Sequence, residues 1–206
     1  MKILSHRGYW KDPSEKNSLA AFVRSLEFRF GLETDVRDCV GRLVVSHDMP
    51  TGREVSLEDV IGMFHDDKLP LAINIKADGL ALSLKHALTS FSVENWFAFD
   101  MSIPDMRNYL DEGLPVFARA SEVEKEPIWV QEVSGIWFDS FDASKYDVRR
   151  IAEFLNDGKP VCIVSPELHR WPYEPLWTAI EALSDHPGLM LCTDYPEEAR
   201  RFFMHA

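Results

Sequence analysis

The sequence predicts an α/β fold, a compact (β/α)8 barrel with a small extra strand after the second strand. Three observations carry that expectation. Short apolar runs rich in β-formers alternate with stretches whose apolar residues recur at helical spacing. Those runs are continuously apolar rather than alternating, as strands buried on both faces are. Eight such βα units would divide the 206 residues into about 26 each, the compact end for such a barrel.

Taken in order, a first strand is read over residues 2–5, followed by the helical stripe Leu19, Phe22, Val23 and Leu26. The second strand covers 32–36, and the extra strand, 43–46, pairs back on it through the turn near Gly41. Leu57, Val60, Ile61 and Phe64 form the next stripe. It is opened by Ser56 with Asp59 three residues on, the pattern of a capping box. Strand three, 71–75, leads to Leu84, Ala87, Leu88 and Phe91. Strand four, 96–99, leads to a helix with Ser102 ahead of Pro104 at its first turn and Gly113 where it should stop. Strands five and six are read over 115–119 and 135–138. The connection between them, 122–134, should hold a crossover helix but shows no stripe, so a short helix and a loop both stay open. Then come Val148, Ile151, Ala152 and Leu155 closed by Gly158, strand seven over 161–164, Leu176, Ala179, Ile180 and Leu183, and strand eight over 189–192. An open doubly wound sheet is the alternative. Neither a Gly-rich dinucleotide fingerprint nor a P-loop is present, which weakens a nucleotide-binding reading.

No linker or low-complexity stretch interrupts the chain, so residues 1–206 are read as one domain. Apolar residues make up 46% and charged residues 27%, which excludes intrinsic disorder. Lys and Arg total 22 against 34 Asp and Glu, giving a net charge of −12. That argues against coating nucleic acid or anionic membrane, both of which need a basic face. Cys39, Cys162 and Cys192 are too scattered for a disulfide framework or a cysteine zinc site and read as buried reduced thiols. The N-terminus has no signal-peptide core and no run of about 18 apolar residues occurs, so a cytoplasmic protein without stable membrane insertion is expected.

The polar residues cluster where strands end, the functional end of a parallel barrel. Glu33 and Asp35 are two apart on a strand and so share a side. Two carboxylates on one side repel unless a positive group lies between them. A hard divalent cation, Mg2+ or Ca2+, is one candidate and an Arg or Lys partner is the other. Asn74 and Lys76 repeat the spacing on strand three, where a buried Lys needs a partner: the carboxylate pair, or a phosphate oxygen. His6 and His47 each follow a strand and suit general acid/base work near neutral pH. His65, His86, His186 and His205 are weaker candidates, and His169, at a strand end, could line the site. Tyr9, Trp10, Trp137, Trp171 and Tyr173 stand at or past strand ends, where packing is the favoured reading over stacking on a ligand.

His6-Arg7-Gly8, Asn17, Glu33-x-Asp35 and His47-Asp48 together are similar to the opening signature of the glycerophosphodiester phosphodiesterase family. The ending, residues 188–196, resembles that family's last strand. The resemblance implies a TIM barrel, a short divergent member, that hydrolyses a small-molecule phosphodiester with a divalent cation. His6 and His47 would be the acid/base pair. Arg7 and Lys76 would face the phosphate. Glu33, Asp35 and, in place of a third carboxylate, Asn74 would face the metal. Asn17, Arg119, Glu167 and Trp171 are the remaining candidates for the substrate pocket. The chain departs from the family pattern at Lys16, where the family has Glu, at Asn74, and in the short stretch after His47. An amide oxygen coordinates a hard cation without adding charge, so metal affinity should fall. Two further readings stand beside hydrolysis: a barrel that binds a phosphate ligand without cleaving it, and a lyase that releases a cyclic phosphate.

Overall fold

A computed structural model describes residues 1–64, 68–142 and 146–204. The fold class is α/β, a (β/α)8 TIM barrel with one extra strand. Nine strands occur in chain order: β1 (Lys2–His6), β2 (Gly31–Cys39), β3 (Arg42–Val45), β4 (Leu71–Ile75), β5 (Trp96–Phe99), β6 (Phe117–Ala120), β7 (Gly135–Phe138), β8 (Val161–Val164) and β9 (Leu189–Thr193). The helices are α1 (Leu19–Glu27), α2 (Leu57–Ile61), α3 (Ala81–Ser90), α4 (Ile103–Asp111), α5 (Val148–Asn156), α6 (Glu174–Ile180) and α7 (Pro196–Met204). Contacts divide the chain into two compact units, residues 6–116 and residues 1–5 with 117–206.

In residues 6–116, β2, β4 and β5 run parallel, with Asp35 opposite Asn74 and Ile73 opposite Ala98. The extra strand β3 lies antiparallel on the far half of β2, Val36 opposite Val45. β4 is buried along its whole length, as its unbroken apolarity requires. The two helix starts read from the sequence, at Ser56 and Ser102, are built as caps, and the structure adds a third at Ser18. Ser18, Ser56 and Ser102 accept hydrogen bonds from the amides of Ala21, Asp59 and Asp105, donors a helix otherwise leaves unpaired. Gly113, past the end of α4, takes a φ of +69°, the left-handed stop that glycine adopts without strain.

In the other unit β1, β9, β8, β7 and β6 lie side by side, all parallel. Alternate strand residues Ile136, Phe138, Ile163 and Leu191 pack against Ile151, Phe154 and Leu155 of α5 and Trp177 and Ile180 of α6. The residues between them in sequence, such as Arg119 and Trp137, therefore point to the opposite face of the sheet.

The structure differs from the sequence reading in several places. Leu19 and Val23 of the α1 stripe are 40% and 42% exposed, and the helix buries Ala21, Phe22 and Ser25 instead. Ser25 explains the rotation. Its hydroxyl accepts from the Tyr9 amide at 2.7 Å and donates to the Ala21 carbonyl at 2.8 Å, so that face must turn inward. Phe91 and Ala179 likewise lie at the surface. β6 begins at Phe117 rather than at residue 115, since Pro115 has no amide to donate. Cys162 and Cys192 are buried, whereas Cys39 is partly exposed near the β2–β3 turn. Residues 121–134 form turns and no helix. Ser121 organises the start of that loop by accepting from the Val123 and Glu124 amides at 3.3 and 3.1 Å. Where a crossover helix would lie, a cavity of about 450 Å³ opens over Ala120 and Phe138, flanked by Glu122, Lys125 and Arg150. His65 and His205 lie outside the described residues. No described helix is long and apolar enough to cross a membrane.

Candidate active site

β1 ends at His6, and the chain then turns through left-handed Arg7 (φ +56°) and Gly8 (φ +84°). At Gly8 the turn demands glycine twice. A Cβ there would lie 2.7 Å from the Cβ of Ala21 in α1, in a backbone conformation that side chains disfavour. The Arg7 carbonyl accepts from the Asn17 amide at 2.9 Å, and Asn17 is itself left-handed (φ +60°). Two strained residues, Arg7 and Asn17, are thus locked to each other at the end of β1.

Beside them stand Glu33 and Asp35 of β2, 2% and 0% exposed. The Arg7 amide donates to Glu33 Oε2 at 3.1 Å. Arg7 Nε lies 2.8 Å from Asp35 Oδ2 as an ion pair, its N–H not aligned for a hydrogen bond. Asn17 donates from Nδ2 to the same Oδ2 at 2.9 Å, and its Oδ1 accepts from the Thr34 hydroxyl at 3.0 Å. Both ends of the Asn17 side chain are therefore used inside the protein. Asn17 orients Asp35, and the second N–H of its Nδ2 is left over from these bonds. Thr34, which sequence reasoning missed, is fully buried; a hydroxyl between two carboxylates on one strand gave no signal of this bridge. Burial, and after it the Asp35 charge, pushes the Glu33 carboxyl well above the usual carboxylate range.

Lys76 follows β4, its amide bonded to the Val36 carbonyl at 3.0 Å and its Nζ 3.4 Å from Asp35 Oδ1. The half-buried lysine thus finds its partner in the carboxylate pair. Asn74 sits opposite Asp35 in the ladder and is 9% exposed. Asp35 Oδ1 and Asn74 Oδ1 are both buried acceptors without a hydrogen-bond donor. Asn74 Oδ1 is left unsatisfied and Asp35 Oδ1 has the Lys76 ion pair alone; oxygens on facing positions of neighbouring strands are the ligand type a hard cation takes. Among the described residues no three His, Cys, Asp or Glu side chains form a metal-binding group. The donor set that fits is two carboxylates and one amide oxygen.

His6 Nε2 lies 4.0 Å from Glu33 Oε2, its side chain 16% exposed. His47 stands after β3, where the Ser46 amide donates to the Asp35 carbonyl at 3.1 Å. Its ring pairs through Nδ1 with Asp48 Oδ1 at 2.9 Å, and its carbonyl accepts from Arg37 Nε at 3.2 Å. The hydrogen bond to His47 lowers the Asp48 carboxyl, with smaller contributions from His47, Arg7 and Arg37 charge, so this pair stands within electrostatic reach of Arg7. His47 is 47% exposed, more open than His6. Five residues singled out from sequence, His6, Arg7, Asn17, Asn74 and Lys76, thus stand against Asp35 or Glu33, while His47 follows Ser46, whose amide bonds the Asp35 carbonyl.

Arg119, Glu167, His169 and Trp171 belong to the other unit. Arg119 ends β6 and pairs with Glu124. Glu167 lies in a 3-10 turn, Pro166–His169, after β8. One of its oxygens accepts from the Thr193 hydroxyl and the Asp194 amide, the other is buried without a donor, and burial raises its carboxyl. Trp171 is 48% exposed. His169 pairs with Asp139 at 2.7 Å. His86 is exposed on α3, and His186 Nδ1 accepts from the Gly188 amide at 3.1 Å. Of the aromatics, Tyr9 packs edge-on against Phe28 and Phe30 at 5.4 and 5.7 Å and Trp137 is buried, as the packing reading expected. Lys16 Nζ sits 4.5 Å over the Trp10 ring.

A parallel barrel with carboxylates, cations and imidazoles gathered at strand ends defines a class, the barrels with a polar site on their C-terminal side. Solved structures narrow the likeness. The chain matches a protein of Galdieria sulphuraria provisionally assigned as a glycerophosphodiester phosphodiesterase, with TM-score 0.77 and 17% identity over 98% of this chain and 97% of that one. It also matches the glycerophosphodiester phosphodiesterase of Agrobacterium tumefaciens (TM-score 0.72, 16% identity, 100% and 98% covered). A glycerophosphoryl diester phosphodiesterase of Parabacteroides distasonis follows (TM-score 0.70, 15% identity, 99% and 86% covered). No family model matches the sequence. No curated protein matches it either. At these identities the likeness is one of fold.

Proposed function

We propose that the chain is a phosphoric diester hydrolase, with residues 1–206 as one catalytic domain and a small-molecule phosphodiester as substrate. The observation that carries the reading is the buried Glu33/Asp35 pair braced by Arg7 and Lys76, on a fold shared with glycerophosphodiester phosphodiesterases. Glu33, Asp35 and Asn74 are the residues that would hold a divalent cation, Mg2+ or Ca2+, supported by the two donorless oxygens on Asp35 and Asn74. Such a cation, when bound, supplies positive charge to the phosphoryl oxygens and to the attacking oxygen.

The chain's own residues do the rest. Arg7 and Lys76 are 23% and 20% exposed, so each keeps donors for phosphate oxygens while its charge is anchored on Asp35. His6, close to Glu33 and largely shielded, and His47, paired with Asp48, exchange protons with the leaving alcohol and the incoming nucleophile. Catalysis of this kind rests on positioning and charge more than on covalent chemistry. A second reading, phosphate-ligand binding without hydrolysis, is supported by one observation. Arg7 and Lys76 already neutralise Asp35, so the cluster is self-compensated without a cation. The acidic charge speaks against a nucleic-acid partner, and we place the protein in the cytoplasm.

The test is turnover of a phosphodiester panel: an aryl diester, glycerophosphodiesters, lysophospholipids and sugar phosphodiesters. It is run with Mg2+, Ca2+, Mn2+ or chelator, beside His6→Ala. Metal-dependent turnover lost in the variant upholds the hydrolase reading. A cyclic phosphate product replaces it with the lyase. Silence on every diester, with phosphate still bound, replaces it with the binding module.

A further inference from the structure

Outside the cluster around Asp35, one titratable pair stands at the C-terminal ends of strands in the unit of residues 117–206. Asp139, directly after β7, is 7% exposed. Its amide donates to the Ala120 carbonyl at 2.9 Å, which fixes it to the end of β6. Its Oδ1 accepts from the Ser140 amide at 2.7 Å and meets His169 Nε2 at 2.7 Å. His169 sits in the turn after β8 with its side chain 28% exposed. Among the described residues its Nδ1 has no partner. The ring of Phe141 stands edge-on to the imidazole, centroids 5.6 Å apart, and Phe141 is 47% exposed. The Arg119 guanidinium lies 5.7 Å from the Phe141 centroid.

Charge decides what such a surface takes. Each cation here carries its own carboxylate, His169 with Asp139 and Arg119 with Glu124. Glu122, which accepts from the Phe141 amide at 3.1 Å, adds one further negative charge. The groups facing His169 thus sum to no net positive field, which disfavours an anion. The two cations beside Phe141 disfavour an ammonium group on that ring. What remains is a fixed imidazole nitrogen beside an exposed apolar ring. A hydroxyl suits that nitrogen in either protonation state, because it both donates and accepts. Anchoring by a buried carboxylate fixes the imidazole's orientation in advance.

We propose that His169, held by Asp139 and flanked by Phe141, is a binding subsite for a neutral, hydroxyl-rich group such as a sugar or polyol. If the hydrolase reading holds, that group is part of the substrate alcohol, and only the kinetic arm of the test rests on that reading.

The binding arm uses the full chain and free polyols. Proton and nitrogen NMR of the His169 imidazole is followed while myo-inositol, glucose or glycerol is added, with inorganic phosphate as the anionic control. A saturable shift with at least one polyol and none with phosphate is the expected result. His169→Gln and Phe141→Ala should each weaken that binding about three- to tenfold, one hydrogen bond or one ring contact. No shift with any polyol, or a shift with phosphate alone, overturns the subsite. The kinetic arm compares a polyol diester with a hydroxyl-free aryl diester. KM for the first alone should rise in His169→Gln, with kcat little changed; an equal fall on both substrates would mark a merely structural pair. Absence of all wild-type turnover counts against the hydrolase reading and leaves the binding arm decisive for the subsite.

Discussion

Asp35 has no surface in water, yet two cations and an amide meet its carboxylate. Deleting it strands Arg7 and Lys76 beside each other. Asp35→Ala should therefore cost about 3–5 kcal/mol of stability, by urea unfolding, besides abolishing turnover. Asn17→Ala removes an amide that serves both Thr34 and Asp35, and should cost about 1–3 kcal/mol in urea unfolding. Asn74→Asp adds a formal charge at the donorless position opposite Asp35. It should tighten Ca2+ or Mn2+ binding by calorimetry, and unchanged affinity would remove Asn74 from the proposed ligand set. His169 gives a pH dependence. Its hydrogen bond with Asp139 raises it above its ordinary value of 6.5. The folded value is the higher one, so the pair's stabilisation is complete below that ordinary value and fades as pH climbs through the raised one. The stability gap between wild type and Asp139→Asn should accordingly be largest below that ordinary value and shrink as pH rises above it, read by urea unfolding across a pH series. At this scale much was legible in the sequence. Two-residue spacing put Glu33 with Asp35 and Asn74 with Lys76 on shared faces. Spacing could not show that Asn17 turns inward, because that depends on a left-handed loop closing against Thr34.

At the level of elements, caps and turns carried the most information. Ser56 and Ser102 announce their helices, and each hydroxyl is bonded as expected. Ser102→Ala should cost about 1 kcal/mol in thermal unfolding. Gly8→Ala should cost more, since a positive φ and the 2.7 Å approach to Ala21 are both violated. A melting temperature within a degree of wild type would show that the α1 contact relaxes freely. Strand positions were readable because buried parallel strands are apolar throughout, and 71–75, 96–99, 135–138 and 161–164 match the sequence reading. The inward face of α1 was not readable. Its register is set by the polar Ser25, which satisfies a loop amide and so outweighs the exposed Leu19 and Val23. Hydrophobic periodicity has no term for such a bond.

For the whole molecule, acidity and cation binding are linked. A chain of net charge −12 that gathers carboxylates at strand ends should be stabilised by the ions it binds. If Glu33, Asp35 and Asn74 hold Ca2+ or Mg2+, saturating ion at about a hundred times its dissociation constant adds about 2.7 kcal/mol to unfolding. Asp35→Asn should abolish that gain. The fold class was legible because eight apolar runs in regular alternation admit few arrangements. The connection after β6 was not, since a loop that does without a helix leaves no periodic trace.

That connection has a consequence for motion. Elsewhere in the unit the strands lie under α5 and α6, whose Ile151, Phe154 and Trp177 seal them from water. Ala120 and Phe138 join that layer, yet beside them the connection is a chain of turns and a cavity lies open. Amides of β6 and β7 should therefore exchange hydrogen with solvent sooner than those of β8 and β9. Polypeptide spliced into the loop near Lys125, exposed and unpaired among the described residues, should be tolerated better than any insertion between β8 and α6.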